Sequence, residues 1–97
     1  MIFVWLPKAI KNRHDLIDYI AEDNLRAAIE HDERIEKQID QLLANPEIGR
    51  AGRMEGTREL VISRTPFIVV YRIKAKRIEI VCLLHTSQAW PAKVENQ

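Results

Sequence analysis

Residues 56–91, GTRELVISRTPFIVVYRIKAKRIEIVCLLHTSQAWP, limit the folds open to this chain more than any other stretch. Three apolar, β-branched runs follow one another through short polar turns, the pattern of an antiparallel meander. Strands are expected at about 58–62, 67–73 and 78–84, with Lys74–Arg77 as a four-residue hairpin loop. Setting Ile73 opposite Ile78 places Arg72 opposite Glu79, Tyr71 opposite Ile80, Val69 opposite Cys82 and Phe67 opposite Leu84. One face is then uniformly apolar. The other carries Ile68, Val70, Val81 and Leu83 with the Arg72–Glu79 pair, and His85 follows on that second face as the strand ends. A slip of one residue would put Arg72 on the face of Ile78, so the pattern selects this register.

Upstream, Ile2–Leu6 reads as a short strand, and Pro7 ends it while suiting the first position of a helix, where its missing N–H costs nothing. From Lys8 to about Ala21, Ile10, Leu16, Ile17, Ile20 and Ala21 recur at helical spacing. Asp23-Asn24 supplies an N-cap for a second helix whose stripe is Leu25, Ala28, Ile35, Ile39 and Leu42. Asn45-Pro46 stops it. Both helices are one-sided, and the sheet is the only large apolar surface on which they can lie. Gly49–Arg53 reads as a flexible basic loop. The order β-α-α-β-β-β therefore predicts an α+β fold, a helical hairpin packed on one face of a mainly antiparallel four-stranded sheet. At 97 residues the chain has room for one domain, 1–97, in which about 92–97 are expected to form a flexible tail. The second sheet face stays partly apolar, and it needs either the tail from Thr86, with Trp90 as a plug, or a partner segment to cover it.

Charge divides the chain sharply. Residues 1–49 hold 6 Lys/Arg against 10 Asp/Glu, a balance of −4, and residues 50–77 hold 8 against 2, a balance of +6. The net charge of +1 conceals this dipole, whose basic half lies on the sheet and suits an anionic or acidic partner. One cysteine, Cys82, excludes an internal disulfide and any multi-cysteine zinc site, and its apolar setting marks it as a small buried hydrophobe. No stretch approaches the roughly 20 apolar residues of a membrane span. MIFVWLPK lacks the basic region and small-residue cleavage site of a signal peptide, so the expected compartment is the cytoplasm.

Among candidate chemical groups His85 stands first, because an imidazole at the end of a buried strand beside basic residues can exchange a proton near neutral pH. The competing reading is a hydrogen-bonded strand-end histidine. His14 and His31 sit in polar helical surroundings and are expected to be solvated, and no paired carboxylates accompany them, so neither a metal nor a cofactor is called for. Arg58 and Arg72 could bind phosphate and stabilise charge developing on it, although Arg72 could equally do no more than pair with Glu79. Arg50 and Arg53 in the loops, and Arg64, which with Arg58 and Arg72 punctuates the strands, are candidate target-binding cations. Gln88 and Trp90 join them, since an indole there could stack on a base or clamp the sheet edge. Tyr71 shares the apolar face and is expected in the core.

The run Gly56–Ile62, then Thr65-Pro66-Phe67-Ile68-Val69-Val70-Tyr71-Arg72, then Leu84-His85 and Gln88-Ala89-Trp90, resembles the RelE/ParE superfamily of toxins. Tyr19-Ile20-Ala21, Ala27-Ala28, Arg34-Ile35 and Pro46–Arg50 fit the same family, so the likeness covers about residues 3–91. It implies the toxin half of a type II toxin–antitoxin module, with growth arrest, plasmid stabilisation and a cognate antitoxin as partner. RelE-type members cut mRNA in the ribosomal A site without a metal; ParE-type members inhibit DNA gyrase. The arginine that RelE-type enzymes carry in the third strand corresponds to Ile68, and their second-strand lysines to Glu59 and Val61. The segment His85-Thr86-Ser87-Gln88 leans toward the RelE-like branch, which makes an mRNA endonuclease the first expectation, with His85 as acid or base and Arg58 and Arg72 on the phosphate. Gyrase inhibition is the alternative, and a non-toxic relative that only binds antitoxin is a third.

Overall fold

The computed structural model describes residues 1–86. Its elements are β1 (Ile2–Trp5), α1 (Pro7–Asp23), α2 (Leu25–Asp40), β2 (Arg50–Ala51), β3 (Arg58–Val61), β4 (Phe67–Lys74) and β5 (Arg77–His85), with a 3₁₀ turn at Gln41–Leu43. The expected α+β layering is present: two helices lie against one face of a mostly antiparallel sheet. The sheet has five strands rather than four, in the order β1-β5-β4-β3-β2, with β1 parallel to β5. The added strand is β2, which lies within the stretch read as a flexible loop and pairs Arg50 with Glu59 and Ala51 with Arg58. Gln88 and Trp90 lie outside the described residues.

Local signals place both helices. Pro7 occupies the first turn of α1, and the Asn24 side chain caps α2 by accepting the Ala27 N–H at 3.0 Å. Ala9, Ile35, Ile39 and Leu42 are buried against Phe67, Val69, Tyr71, Ile78, Ile80 and Leu83, the apolar side of the sheet, and Ala28 is buried as well. Two expected stripe residues depart from this. Ile10 and Leu25 are 56% and 64% exposed, and Tyr19 and Ile29 join them on the outer surface of the hairpin.

Near the hairpin tip the expected pairing of β4 with β5 holds for Tyr71–Ile80, Arg72–Glu79 and Ile73–Ile78. The loop is shorter than expected, because Lys74 pairs with Arg77 and the turn is Ala75-Lys76, with Ala75 at φ +57°. Beyond Tyr71 the register changes. Val70 pairs with Cys82, Val69 with Leu83, Ile68 with Leu84 and Phe67 with His85, which leaves Val81 as the extra residue of a β-bulge. The bulge reverses the alternation of β5. Leu83 and His85 turn to the helix side, and Cys82 and Leu84 turn away from it. It also carries β5 past the end of its pairing with β1, where the Leu83 N–H is taken by the Asn12 side chain of α1 at 3.2 Å.

Candidate functional site

The residues expected to act on one phosphate divide between the two faces of the sheet. Arg58 pairs with Tyr71 and so lies on the helix side, while Arg72, the next residue along β4, points to the open side. His85 pairs with Phe67 and lies on the helix side at the far end of the strand. The four strand positions from Phe67 to Tyr71 separate it from Arg58 by roughly 13 Å along the strands, and β4 lies between their two strands.

Arg58 holds a loop. Its guanidinium donates to the carbonyls of Glu47 at 3.2 Å and Gly49 at 2.9 Å. The same loop is fastened by Tyr71, whose hydroxyl donates to the Pro46 carbonyl at 2.8 Å and accepts the Gly49 N–H at 2.9 Å. Tyr71 is fully buried, as the sequence suggests, and burial raises its phenol above the ordinary value despite the Gly49 N–H. Gly49 is required here by contact alone. A Cβ at that position would stand 2.6 Å from the Tyr71 hydroxyl oxygen and 2.9 Å from the Glu59 carbonyl.

On the open side two carboxylates are buried among arginines. Glu79 accepts from Arg72 Nε and lies 2.9 Å from Arg77. The hydrogen bond from Arg72 holds its carboxyl below the ordinary range, aided by the charges of Arg72, Arg77 and Lys74. Glu59 accepts Arg50 Nε at 3.2 Å and its terminal nitrogen at 3.1 Å, and also the backbone N–H of Arg53 at 3.2 Å. The Arg72–Glu79 pair is legible in the sequence from the hairpin register. The Arg50–Glu59 pair is not, because β2 has only two residues and no alternation to read. Next to these groups, Val61, Ile68 and Leu84 form a cross-strand apolar row, with Val61 47% exposed. Ile68 thus occupies the middle of that row, near the start of β4.

Arg64 sits in the turn before β4 at φ +65°, and its carbonyl accepts from Arg34 at 3.5 Å. His85 stands edge-on to Phe67, centroids 6.0 Å apart, and Phe67 is edge-on to His31 at 5.8 Å. His31 is therefore not the solvated helical histidine expected from its neighbours. It is half-buried, and its Nδ1 has no hydrogen-bond partner among the described residues. The signal that could have revealed it is its position four residues before Ile35, on the buried stripe of α2. Cys82 is buried and its thiol is pushed up by desolvation, in keeping with a packing role. Among the described residues no group of three potential ligands could hold a metal, and no helix is long and apolar enough to cross a membrane.

The whole fold has relatives. Residues 3–90 match the family model described as the ParE toxin of the type II toxin–antitoxin system parDE. The chain belongs to the ParE toxin family. It is 37% identical over 87 residues to a protein of Sinorhizobium fredii named "Putative toxin Y4kP", covering 90% of each chain. A solved structure titled "Chromosomal ParDE TA system from P. aeruginosa" superposes with a TM-score of 0.79 at 27% identity, covering 88% of this chain and 95% of that one. Membership of this toxin family implies a cognate antitoxin, as the sequence resemblance had indicated.

Proposed function

We propose that this ParE-family toxin arrests growth by binding a protein target, DNA gyrase, and not by cutting RNA. The observation that carries the reading is the separation of the expected catalytic groups: Arg58 and Arg72 lie on opposite faces of the sheet, and each guanidinium is already engaged, one by backbone carbonyls and the other by a buried carboxylate. Phosphoryl chemistry depends on positioned cations converging on one group, and a strand-end imidazole roughly 13 Å along the strands from Arg58, and two strands away from it, does not converge with it. RNA cleavage, the first expectation from the sequence, loses support for that reason. Ile68, in the middle of the apolar row on the open face, argues the same way, since it offers no hydrogen bond to a phosphate. The cognate antitoxin would neutralise the toxin by covering exposed apolar side chains such as Tyr19, Leu25 and Ile29 on the helical hairpin, through a segment that folds as it binds.

Two assays on the purified chain test the target. Inhibition of gyrase-catalysed supercoiling without new toeprints on translating ribosomes is the expected result. Codon-positioned cleavage with unimpaired supercoiling would reverse it. Induced expression alone should stop growth, and co-expression of the neighbouring reading frame should restore it; normal growth with abundant soluble protein would leave only a non-toxic antitoxin binder.

A further inference from the structure

The seam between α2 and the sheet contains two imidazoles that both meet one benzyl ring. His31 reaches down from α2, His85 comes from the end of β5, and Phe67 of β4 lies edge-on to both, at interplanar angles of 88° and 83°. Phe67 is fully buried, and the His31 Nδ1 is enclosed without a hydrogen-bond partner among the described residues. A neutral imidazole tolerates this, because a ring nitrogen without a proton is a weak acceptor in an apolar cleft. An imidazolium does not. Protonation of Nδ1 creates a buried N–H donor with no acceptor among the described residues, and it places a charge in an apolar cleft. The charged neighbours of His31 are Glu30 and Arg34 on its own helix. β4 faces it with Phe67, and His85 of β5 is the second titratable group against that ring. Arg34, held near the seam by the Arg64 carbonyl, repels a proton on His31, and Glu30 only partly offsets it.

We propose that the His31–Phe67–His85 stack is a proton-operated latch, which holds α2 on the sheet while His31 is neutral and loosens when His31 takes up a proton. Desolvation first, and the Arg34 charge second, lower the His31 pKa from its ordinary 6.5. The stability contributed by the neutral ring is therefore fully present above pH 6.5 and is lost as pH falls through the lower folded-state value. Opening the latch uncovers Phe67 and the neighbouring core residue Ile35. The inference concerns the fold alone and stands whichever target the toxin binds.

Thermal unfolding of the intact chain at about pH 7.5 and about pH 5.5, a range that brackets the ordinary histidine value, tests the proposal for the wild type, His31→Gln and the exposed control His14→Gln. The wild type and His14→Gln should lose several degrees of melting temperature on acidification and gain hydrophobic-dye binding, and His31→Gln should lose much less. Equal loss in His31→Gln, or no loss in the wild type, would overturn the latch. Should His31→Gln fail to fold, the wild-type NMR titration decides: a His31 ring titrating below pH 6.5 upholds the proposal, and one titrating at or above it rejects it.

Discussion

On the helix side, the sheet buries Phe67, Val69, Tyr71, Ile78 and Ile80 completely, whereas the most buried polar groups on the opposite side are two carboxylates, Glu59 and Glu79, each bound by arginine. The helix side is held chiefly by apolar contact, whereas the other side adds charge satisfied at close range to the buried Val70 and Cys82. The difference bears directly on function. Arginines that seem available for phosphate when read along the strands are occupied in the fold, Arg72 and Arg77 by Glu79 and Arg50 by Glu59. The net positive charge of residues 50–77 remains, and under the proposed reading it would steer a partner and not form a reaction centre.

The largest effect expected from breaking this division is on the helix side. Phe67→Ala should cost about 3–5 kcal/mol, since it removes the ring that both His31 and His85 meet and opens a cavity in the core cluster. Denaturant titration will show it as a lower midpoint with unchanged slope. A loss near that of an ordinary surface substitution would contradict the core assignment.

Next comes the loop clasp that joins the helix side to β2. Tyr71→Phe leaves the Pro46 carbonyl and the Gly49 N–H without their partner and should cost about 1–3 kcal/mol. Gly49→Ala should cost a similar amount, about 1–3 kcal/mol, through overpacking against the Tyr71 hydroxyl. The double variant Gly49→Ala/Tyr71→Phe should then be less unstable than the sum of the two, because removing the hydroxyl relieves the clash. Additivity measured in that cycle would separate the two residues.

On the open side, Glu59→Ala should cost about 1–3 kcal/mol, because the Arg53 N–H loses its acceptor while the half-exposed Arg50 turns to water. The two faces should also fail at different acidities. Glu79, whose carboxyl is depressed from 4.5, contributes stability above that value and loses it as pH falls through its lower folded value. Glu79→Gln should flatten that acid limb and leave untouched the limb below pH 6.5 that belongs to His31. A variant that altered both limbs together would show the two faces to be one electrostatic unit.

Most of the fold was legible because its determinants are local or periodic. Asn24 caps α2, the helical stripes bury Ala28, Ile35 and Ile39, and the Arg72–Glu79 pair fixes the register near the hairpin tip. The site was less legible, and Val81 is the reason. Val81, Cys82, Leu83 and Leu84 are all apolar, so an extra residue among them leaves no mark on the hydrophobic pattern, yet it moves His85 from one face to the other. Two-residue β2 escaped for want of any period, and Arg50 with it. Leu25 and Ile10 matched a buried spacing but lie outside the strip that the sheet can cover.

His85 is where the two accounts of this toxin differ most, and His85→Ala tests them directly. Losing an edge-on aromatic pair should cost about 0.5–1.5 kcal/mol, or several degrees at about 4–8 °C per kcal/mol for a domain of this size. The measurement is growth arrest after induction, normalised to the amount of folded toxin and read beside the melting temperature. A packing role predicts a lower melting temperature with arrest per folded molecule unchanged. A variant as stable as the wild type that no longer arrests growth would contradict it and return His85 to the reaction centre.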